Sequence, residues 1–189
     1  LLGFLIKAGI ICTLFGALII VGGYLYLKPQ LPDVEQLRDI ELQTPLRIYS
    51  ADHKLIAEFG EMRRTPINFE DIPEGFVQAI LAAEDGRFYH HGGIDFIGLA
   101  RAAFQLASTG RIQSGGSTIT MQVARNYLLT LERTFLRKFK EIFLALQMEQ
   151  QLSKNEILEL YVNKIYLGNR AYGIQAAANV YYGRDIDQL

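Results

Sequence analysis

The chain has 189 residues, a net charge of −1, 50% hydrophobic residues and one cysteine. That length accommodates one domain with a real core plus an appendage, and the near-zero charge excludes a partner recruited by bulk electrostatics, nucleic acid above all. A lone cysteine, Cys12, forms no internal disulfide and leaves the redox compartment unread.

From Ala8 to Leu27 the sequence AGIICTLFGALIIVGGYLYL carries no charge, and Lys7 and Lys28 bracket it. About 20 residues at ~1.5 Å each span the ~30 Å hydrocarbon core of a bilayer. A cleaved secretory signal would have a shorter apolar core and a small-residue cleavage site. Gly22-Gly23 followed by Tyr24, Leu25 and Tyr26 is a poor one. The expectation is an uncleaved transmembrane anchor over residues 1–28, with Tyr24 and Tyr26 in the interfacial aromatic belt. One lysine on each side sets no orientation.

Next comes KPQLPDVEQLRDIELQTPL, whose three prolines and scattered charge read as a linker. LRIYSADHKLIAEFG reads as a β-hairpin: Leu46 and Ile48 alternate, as do Leu55, Ala57 and Phe59, around a SADHK turn. Linker and hairpin together occupy residues 29–70.

From Ile72 the pattern is helical. Pro73 suits a first helical position, and Phe76, Val77, Ile80 and Leu81 form an apolar stripe that runs into Glu84 and meets Gly86. Asp95 can cap a second helix with Phe96, Leu99, Ala103 and Phe104 on one side. STGRIQSGGS is a glycine-serine loop, and another helix starts near Ser117 or Thr118. RTFLRKFKEIFLALQMEQQ is amphipathic, with Phe139 expected toward the core beside Phe135 and Phe143. Ser153 to Glu156 matches a capping box, opening a helix expected to end at Gly168, and an alanine-rich helix includes Gly173 to Val180. The fold class is mainly α, with a small β-hairpin element and a main domain over residues 71–189.

Three clusters can carry chemistry. Glu84 stands where a helix ends; the negative end of the macrodipole and burial would both temper its acidity, as proton transfer requires. The plain alternative is a solvated Glu-Asp pair, and for His91 a turn histidine. In Arg137-Lys138-Phe139-Lys140-Glu141, Arg137 and Glu141 share a helix face. A basic cluster with one acid suits an oxygen-rich anion such as a pyrophosphate. The alternative is a solvated charged face, although Arg-before-Glu is the weaker order for helix support. Gly115-Gly116-Ser117-Thr118 precedes a helix and leaves backbone N–H groups free for an anion; Thr118, Gln122, Arg125 and Asn126 follow on one face. A flexible linker is the competing view, and the pattern is not a P-loop. Zinc-type metal-ligand spacing is missing, and no nucleophilic triad has support.

Taken together, Glu84-Asp85-x-x-Phe88-x-x-His91-x-Gly93-Ile94-Asp95, then Gly115 to Thr120, then Arg137-Lys138-x-x-Glu141, then Glu156 to Tyr161 resemble the peptidoglycan glycosyltransferase family, in its order. These are the polymerase domains of class A penicillin-binding proteins and of monofunctional transglycosylases. GIQAAANVYYG is similar to the family's last motif, and the Pro45-to-Arg64 region resembles the bifunctional class A members.

The resemblance implies a lysozyme-like glycosyltransferase fold on the outer, periplasmic face of the bacterial cytoplasmic membrane, acting on lipid II and the growing glycan strand with inversion and release of undecaprenyl pyrophosphate. It implies Glu84 as general base and Glu141 as the second essential carboxylate. Asp85, Phe88, His91, Thr118, Gln122, Arg125, Asn126, Arg137, Lys138 and Lys140 become substrate-binding candidates. It further implies a loosely held divalent cation, usually magnesium, a truncated C-terminus that a transpeptidase domain would follow, and other cell-wall synthesis proteins as partners. Met121 and Arg125 depart from the family's usual glutamine and lysine, and arginine keeps lysine's charge but not its geometry. Lytic transglycosylase or lysozyme-like cleavage and an inactive membrane-anchored scaffold are the alternatives.

Overall fold

The computed structural model describes residues 2–38, 45–53, 55–59, 63–111, 115–129 and 134–189. Residues 39–44 of the expected linker, Lys54 of the hairpin turn, residues 112–114 of the glycine-serine loop and Arg133 lie outside them. The chain forms two compact units, Leu1–Asp33 and Val34–Leu189.

The first unit is helix α1, Leu2–Leu27, followed by a 3₁₀ turn at Lys28–Gln30. Its 26 residues extend about 39 Å at ~1.5 Å each. By length and composition it suffices to cross a membrane.

The second unit is mostly helical. Its entry segment is more than a linker: the 3₁₀ turn Val34–Leu37 buries Val34 and Leu37 and packs on α5 (Phe135–Gln151), while Arg38 Nη2 donates to the Gln151 carbonyl at 2.7 Å. The hairpin forms as its alternation requires. Strands β1 (Leu46–Tyr49) and β2 (Leu55–Phe59) pair antiparallel, Leu46 opposite Phe59, with an irregularity at Ile48/Tyr49. A second, parallel pair joins β3 (Arg63–Arg64) to β4 (Ala171–Tyr172).

Helix α2 spans Glu74–Glu84. Pro73 is its N-cap residue rather than its first helical one, because its ψ of 133° is extended. The approach to α2 is strapped to α6 (Lys154–Lys164): the Asn163 side chain accepts from the Ile67 amide at 3.0 Å and donates to the Ile67 carbonyl at 2.8 Å, and Glu159 Oε2 accepts from the Phe69 amide at 2.8 Å.

Helix α3 (Phe96–Thr109) is capped by Asp95, which accepts from the Ile97 amide. Helix α4 (Ile119–Leu128) is capped by Thr118, and α6 opens on the complete Ser153–Glu156 capping box. Helix α6 stops at Lys164, four residues before Gly168, because the chain turns at Ile165 to bring Tyr166 opposite Tyr172. Helix α7 (Ile174–Tyr182) starts after Gly173, whose φ is +87°. A Cβ there would stand 3.1 Å from the Asn163 carbonyl oxygen, so glycine allows α7 to close on α6.

The core lies where α4 packs on both α5 and α6: Ile119, Met121, Val123, Leu144, Met148, Ile157 and Leu158 are buried. The aromatic stripe of α5 does not join it. Phe135 is 90% exposed and Phe139 56% exposed, so the core-facing side of this helix is Glu141, Leu144, Ala145 and Met148. An i, i+4 apolar repeat marks a face but not what covers it.

Candidate active site

The site is built around the N-terminus of α4. On one side α2 ends at Glu84, and the chain turns through a 3₁₀ segment at Phe88–His90. Asp85, buried, bonds the His91 ring at Nε2 (3.0 and 3.1 Å) and accepts from the Ile119 amide at 3.1 Å. The Gly93 amide donates to His91 Nδ1 at 3.2 Å. That bond makes Nδ1 the acceptor, so Nε2 carries a proton and donates to Asp85. Thr118 Oγ1 donates to the Gly93 carbonyl at 2.7 Å while accepting from the Met121 amide at 3.2 Å. Gly93 has a φ of +92°, and a Cβ on it would lie 2.9 Å from the Ala145 carbonyl oxygen; glycine lets the turn rest on α5.

Phe88 is 1% exposed, edge-on to Tyr89 and His91, with Lys154 Nζ 4.3 Å from its ring centroid. Lys154 also donates to the His91 carbonyl (2.7 Å) and Glu149 Oε1 (2.8 Å). Phe88 and His91 therefore lie inside the fold. Their contacts, and those of Asp85 and Thr118, are with protein: they fix the turn and the start of α4.

Glu84 is exposed, against the expectation of burial, because its side chain leaves the end of α2 toward an open cavity. The cavity, about 460 Å³, is lined by Glu84, Asp85, Gly86 and Arg87 from the turn, Asp95, Leu99, Arg101 and Gln105 around α3, and Gly115 to Thr118. Gln122 Nε2 reaches Glu84 Oε2 at 2.9 Å and holds the carboxylate against α4. Gly116 faces Leu99: a Cβ would stand 2.6 Å from Leu99 Cδ2, so a side chain here would close the cavity wall. Arg87 Nε meets Asp95 Oδ1 at 3.3 Å. The Gly98 amide first, then Arg87, hold the Asp95 carboxyl below its usual range.

On the other side of α4, Glu141 is 1% exposed yet carries two cations: Arg137 Nε at 3.1 Å from Oε1 and Lys138 Nζ at 2.9 Å from Oε2. Burying a carboxylate requires such pairing. Lys138 Nζ also donates to Ser117 Oγ at 2.7 Å and lies 3.8 Å from Met121 Sδ. The basic cluster of α5 is thus tied to the loop that walls the cavity. Met121 fills space under Lys138 and is itself buried. Arg125 and Asn126 are half-buried on α4 and touch each other at 3.4 Å, and Lys140 is half-buried on α5.

Arg87 and Arg101 are cavity residues that sequence reasoning did not single out, and Asp95 and Ser117, read there as a helix cap and part of a glycine-serine motif, join them in the lining. For Ser117 the signal was present, since it sits between the glycine pair and the helix cap.

The donor set does not make a cage for a divalent cation. Among the described residues no three His, Cys, Asp or Glu side chains group as ligands, and both oxygens of Glu141 already face cations.

The sequence profile of the transglycosylase family matches residues 52–189. Penicillin-binding protein 1A of Pseudomonas aeruginosa is 67% identical over 168 residues, covering 89% of this chain and 20% of that protein. Its namesake from Escherichia coli K12 is 55% identical over 186 residues, covering 98% and 22%. A crystal structure of penicillin-binding protein 1A from Haemophilus influenzae matches 79% of this chain and 13% of its own, at 30% identity and a TM-score of 0.35. The chain spans about a fifth of the length of the relatives it matches. It belongs to the transglycosylase family, the peptidoglycan glycosyltransferase domains of class A penicillin-binding proteins.

Proposed function

We propose that this chain polymerises lipid II into β-1,4-linked glycan by inverting transfer. The observation that carries this reading is the pairing of two halves across one helix start. An exposed carboxylate, Glu84, is held by Gln122 at the cavity wall, and the buried Glu141 with its half-buried partners Arg137 and Lys138 is tied to the same wall through Ser117.

In the reaction the acceptor hydroxyl attacks the donor's anomeric carbon. Glu84 takes the hydroxyl proton as the new C–O bond forms. The bond to the pyrophosphate oxygen breaks, and undecaprenyl pyrophosphate leaves with the electron pair. A base on one side and stabilisation of a departing polyanion on the other are what inversion needs. Arg137, Lys138 and Lys140 supply the positive charge, with Arg125 on the neighbouring helix. Glu141 offsets one of these charges and fixes the geometry of the other groups, as a bidentate partner does. Because pyrophosphate is a good leaving group, a basic cluster replaces the strong general acid of glycoside hydrolysis. Magnesium enters this reading only as a counter-ion carried by the pyrophosphate.

The fold is read as lysozyme-like, with α1 anchoring the chain in the bacterial inner membrane and the second unit on the periplasmic side. The exposed Phe96, Ile97 and Phe104 of α3 and Phe135 and Phe139 of α5 supply apolar surface for the membrane that holds the lipid substrate. A transpeptidase domain and further cell-wall synthesis proteins belong to the reading through the likeness to much longer relatives.

Lytic cleavage of glycan by the same carboxylates would leave the basic cluster without a pyrophosphate to hold. An inactive scaffold would leave Glu84 and Gln122 without a task. Incubating the purified chain with lipid II and magnesium separates the three. Long glycan is expected, and Glu84→Gln should abolish it with the fold intact; normal polymerisation by that variant removes Glu84 as the base.

A further inference from the structure

Lys154 is the first residue of α6, directly after the Ser153 cap. A cation there faces the positive end of the helix macrodipole, so helix stability does not account for it. Its partners do. The ammonium donates to the His91 carbonyl at 2.7 Å, in the turn after α2, and to Glu149 Oε1 at 2.8 Å on α5. It also stands 4.3 Å from the Phe88 ring centroid. Glu149 Oε1 accepts in turn from Thr120 Oγ1, and Thr120 is buried in the first turn of α4. One ammonium thus ties α4, α5 and α6 to the His91 turn.

From that turn a short run of bonds leads to the cavity. The His91 ring bonds Asp85, which accepts from the Ile119 amide at 3.1 Å. Two residues on, the Gly93 carbonyl accepts from Thr118 Oγ1 at 2.7 Å. These bonds hold the two residues that open α4. The same helix start carries Ser117, which accepts from Lys138 Nζ, and Gln122, which holds Glu84 at 2.9 Å. Lys154 does not line the cavity, so its route to the reacting groups is this turn. Stability alone does not call for a lysine here, because apolar side chains of similar volume often replace a buried ion pair without loss. A hydrogen-bonded ammonium adds direction, which apolar packing lacks.

We propose that Lys154 is a positioning residue of the transfer reaction. It fixes the His91–Gly93 turn against α5 and α6, and through that turn the placement of the α4 start, so that Gln122 presents Glu84 to the acceptor hydroxyl. Lys154 touches no substrate, so its loss acts on kcat and leaves KM. This inference rests on the polymerase reading above.

The test is a double-mutant cycle in the full chain: wild type, Lys154→Met, Gln122→Ala and both together. Glycan synthesis from lipid II is read well below the lowest Tm, with thermal unfolding measured alongside. Methionine keeps most of the apolar stem over Phe88 and removes the charge and both hydrogen bonds. The expected result for Lys154→Met alone is a fall in kcat of about tenfold with KM unchanged, since small misplacements of a base are costly. Once Gln122 is gone, Lys154→Met should cost little more, because the two residues act through one chain of contacts. A lysine that only stabilises the fold would lower Tm and the active fraction, and the two losses would multiply. An unchanged kcat, equal losses in both backgrounds, or a loss that tracks the folded fraction overturns the proposal. If Lys154→Met does not fold, Lys154→Arg goes through the same cycle and is judged by the same outcomes, because arginine keeps the charge but not the geometry. If the wild-type chain makes no glycan, the polymerase reading falls and the inference with it. If the wild type polymerises and the two losses multiply, the inference falls alone.

Discussion

Gln122 Nε2 donates to Glu84 Oε2 at 2.9 Å, joining the last residue of α2 to the first turns of α4. Glu84 is exposed and its helix has no residues beyond it, so this bond is what orients the carboxylate at the cavity wall. Gln122→Ala should lower kcat about tenfold or more, since misplacing a base by an ångström costs on the order of a hundredfold. Stability should barely move, because a solvent-exposed bond contributes little. Steady-state polymerisation alongside calorimetry checks both; full activity in the alanine variant would mean that Glu84 is oriented by something else.

Asp85 works differently although it is the next residue. Its carboxylate satisfies the buried Ile119 amide and the His91 ring at once. Asp85→Ala leaves two buried groups unpaired, a loss of roughly 3 kcal/mol. For a domain of this size that corresponds to a Tm lower by roughly 6–12 °C. Activity should fall with it, since the start of α4 carries Ser117 and Gln122. A Tm within a degree of the wild type would show that the brace is unimportant.

Much of this architecture was legible in the sequence, and the legible parts share a cause. Asp95, Thr118 and the Ser153–Glu156 box mark helix starts through bonds spanning two or three residues, so local sequence suffices. The hairpin follows from alternation alone. What failed depended on distant partners. Phe135 and Phe139 were expected in the core because an apolar face looks the same whether protein or lipid covers it. Glu84 was expected to be buried; the turn between α2 and α3 reverses that placement by turning Asp85 inward and Glu84 outward. No sequence pattern reports that reversal, because it requires α4 to present the Ile119 amide 34 positions away.

Glu141 holds Arg137 and Lys138 together inside the fold. Glu141→Gln leaves those cations facing one another. Breaking a buried pair costs roughly 3–5 kcal/mol, and the low end applies because the Lys138 side chain is 40% exposed and partly screened. Adding Lys138→Met should recover much of that stability by removing the repulsion, yet polymerisation should stay lost because pyrophosphate loses a partner. Denaturant unfolding and glycan synthesis on the single and double variants separate folding from catalysis. Recovery of both in the double variant would show that the cluster is structural only.

The capping box of α6 gives a pH-dependent prediction. The Ser153 backbone amide first, then its hydroxyl, hold the Glu156 carboxyl below the usual 4.5. A depressed folded value means that the stabilisation is present above the unfolded value and fades as pH falls through the folded one. Ser153→Ala should cost about 1 kcal/mol at pH 7. The gap between the two proteins should shrink below about pH 4 as Glu156 is protonated in both. Urea unfolding at pH 7 and pH 3 checks this, and an equal gap at both values counts against it.

The last prediction concerns the exposed aromatic residues. Phe104 is 74% exposed on α3, one turn from Arg101 on the same helix, with Arg111 just past the helix end, and Phe135 tops α5. Apolar surface of this kind beside arginines suits the interface of an anionic bilayer, where the rings enter the acyl boundary and the guanidinium groups stay with the headgroups. If that is its use, the second unit should bind membrane without α1. Residues 34–189, a compact unit by themselves, should float with liposomes containing anionic lipid. Phe104→Ser should weaken binding by about tenfold or more, since burying such a ring is worth roughly 1.5–3 kcal/mol, and Phe135→Ser should act similarly. High salt should reduce binding only in part, because screening removes the arginine contribution and leaves the apolar one. A fragment that stays at the bottom of the gradient at low salt would instead assign these phenylalanines to contact with protein.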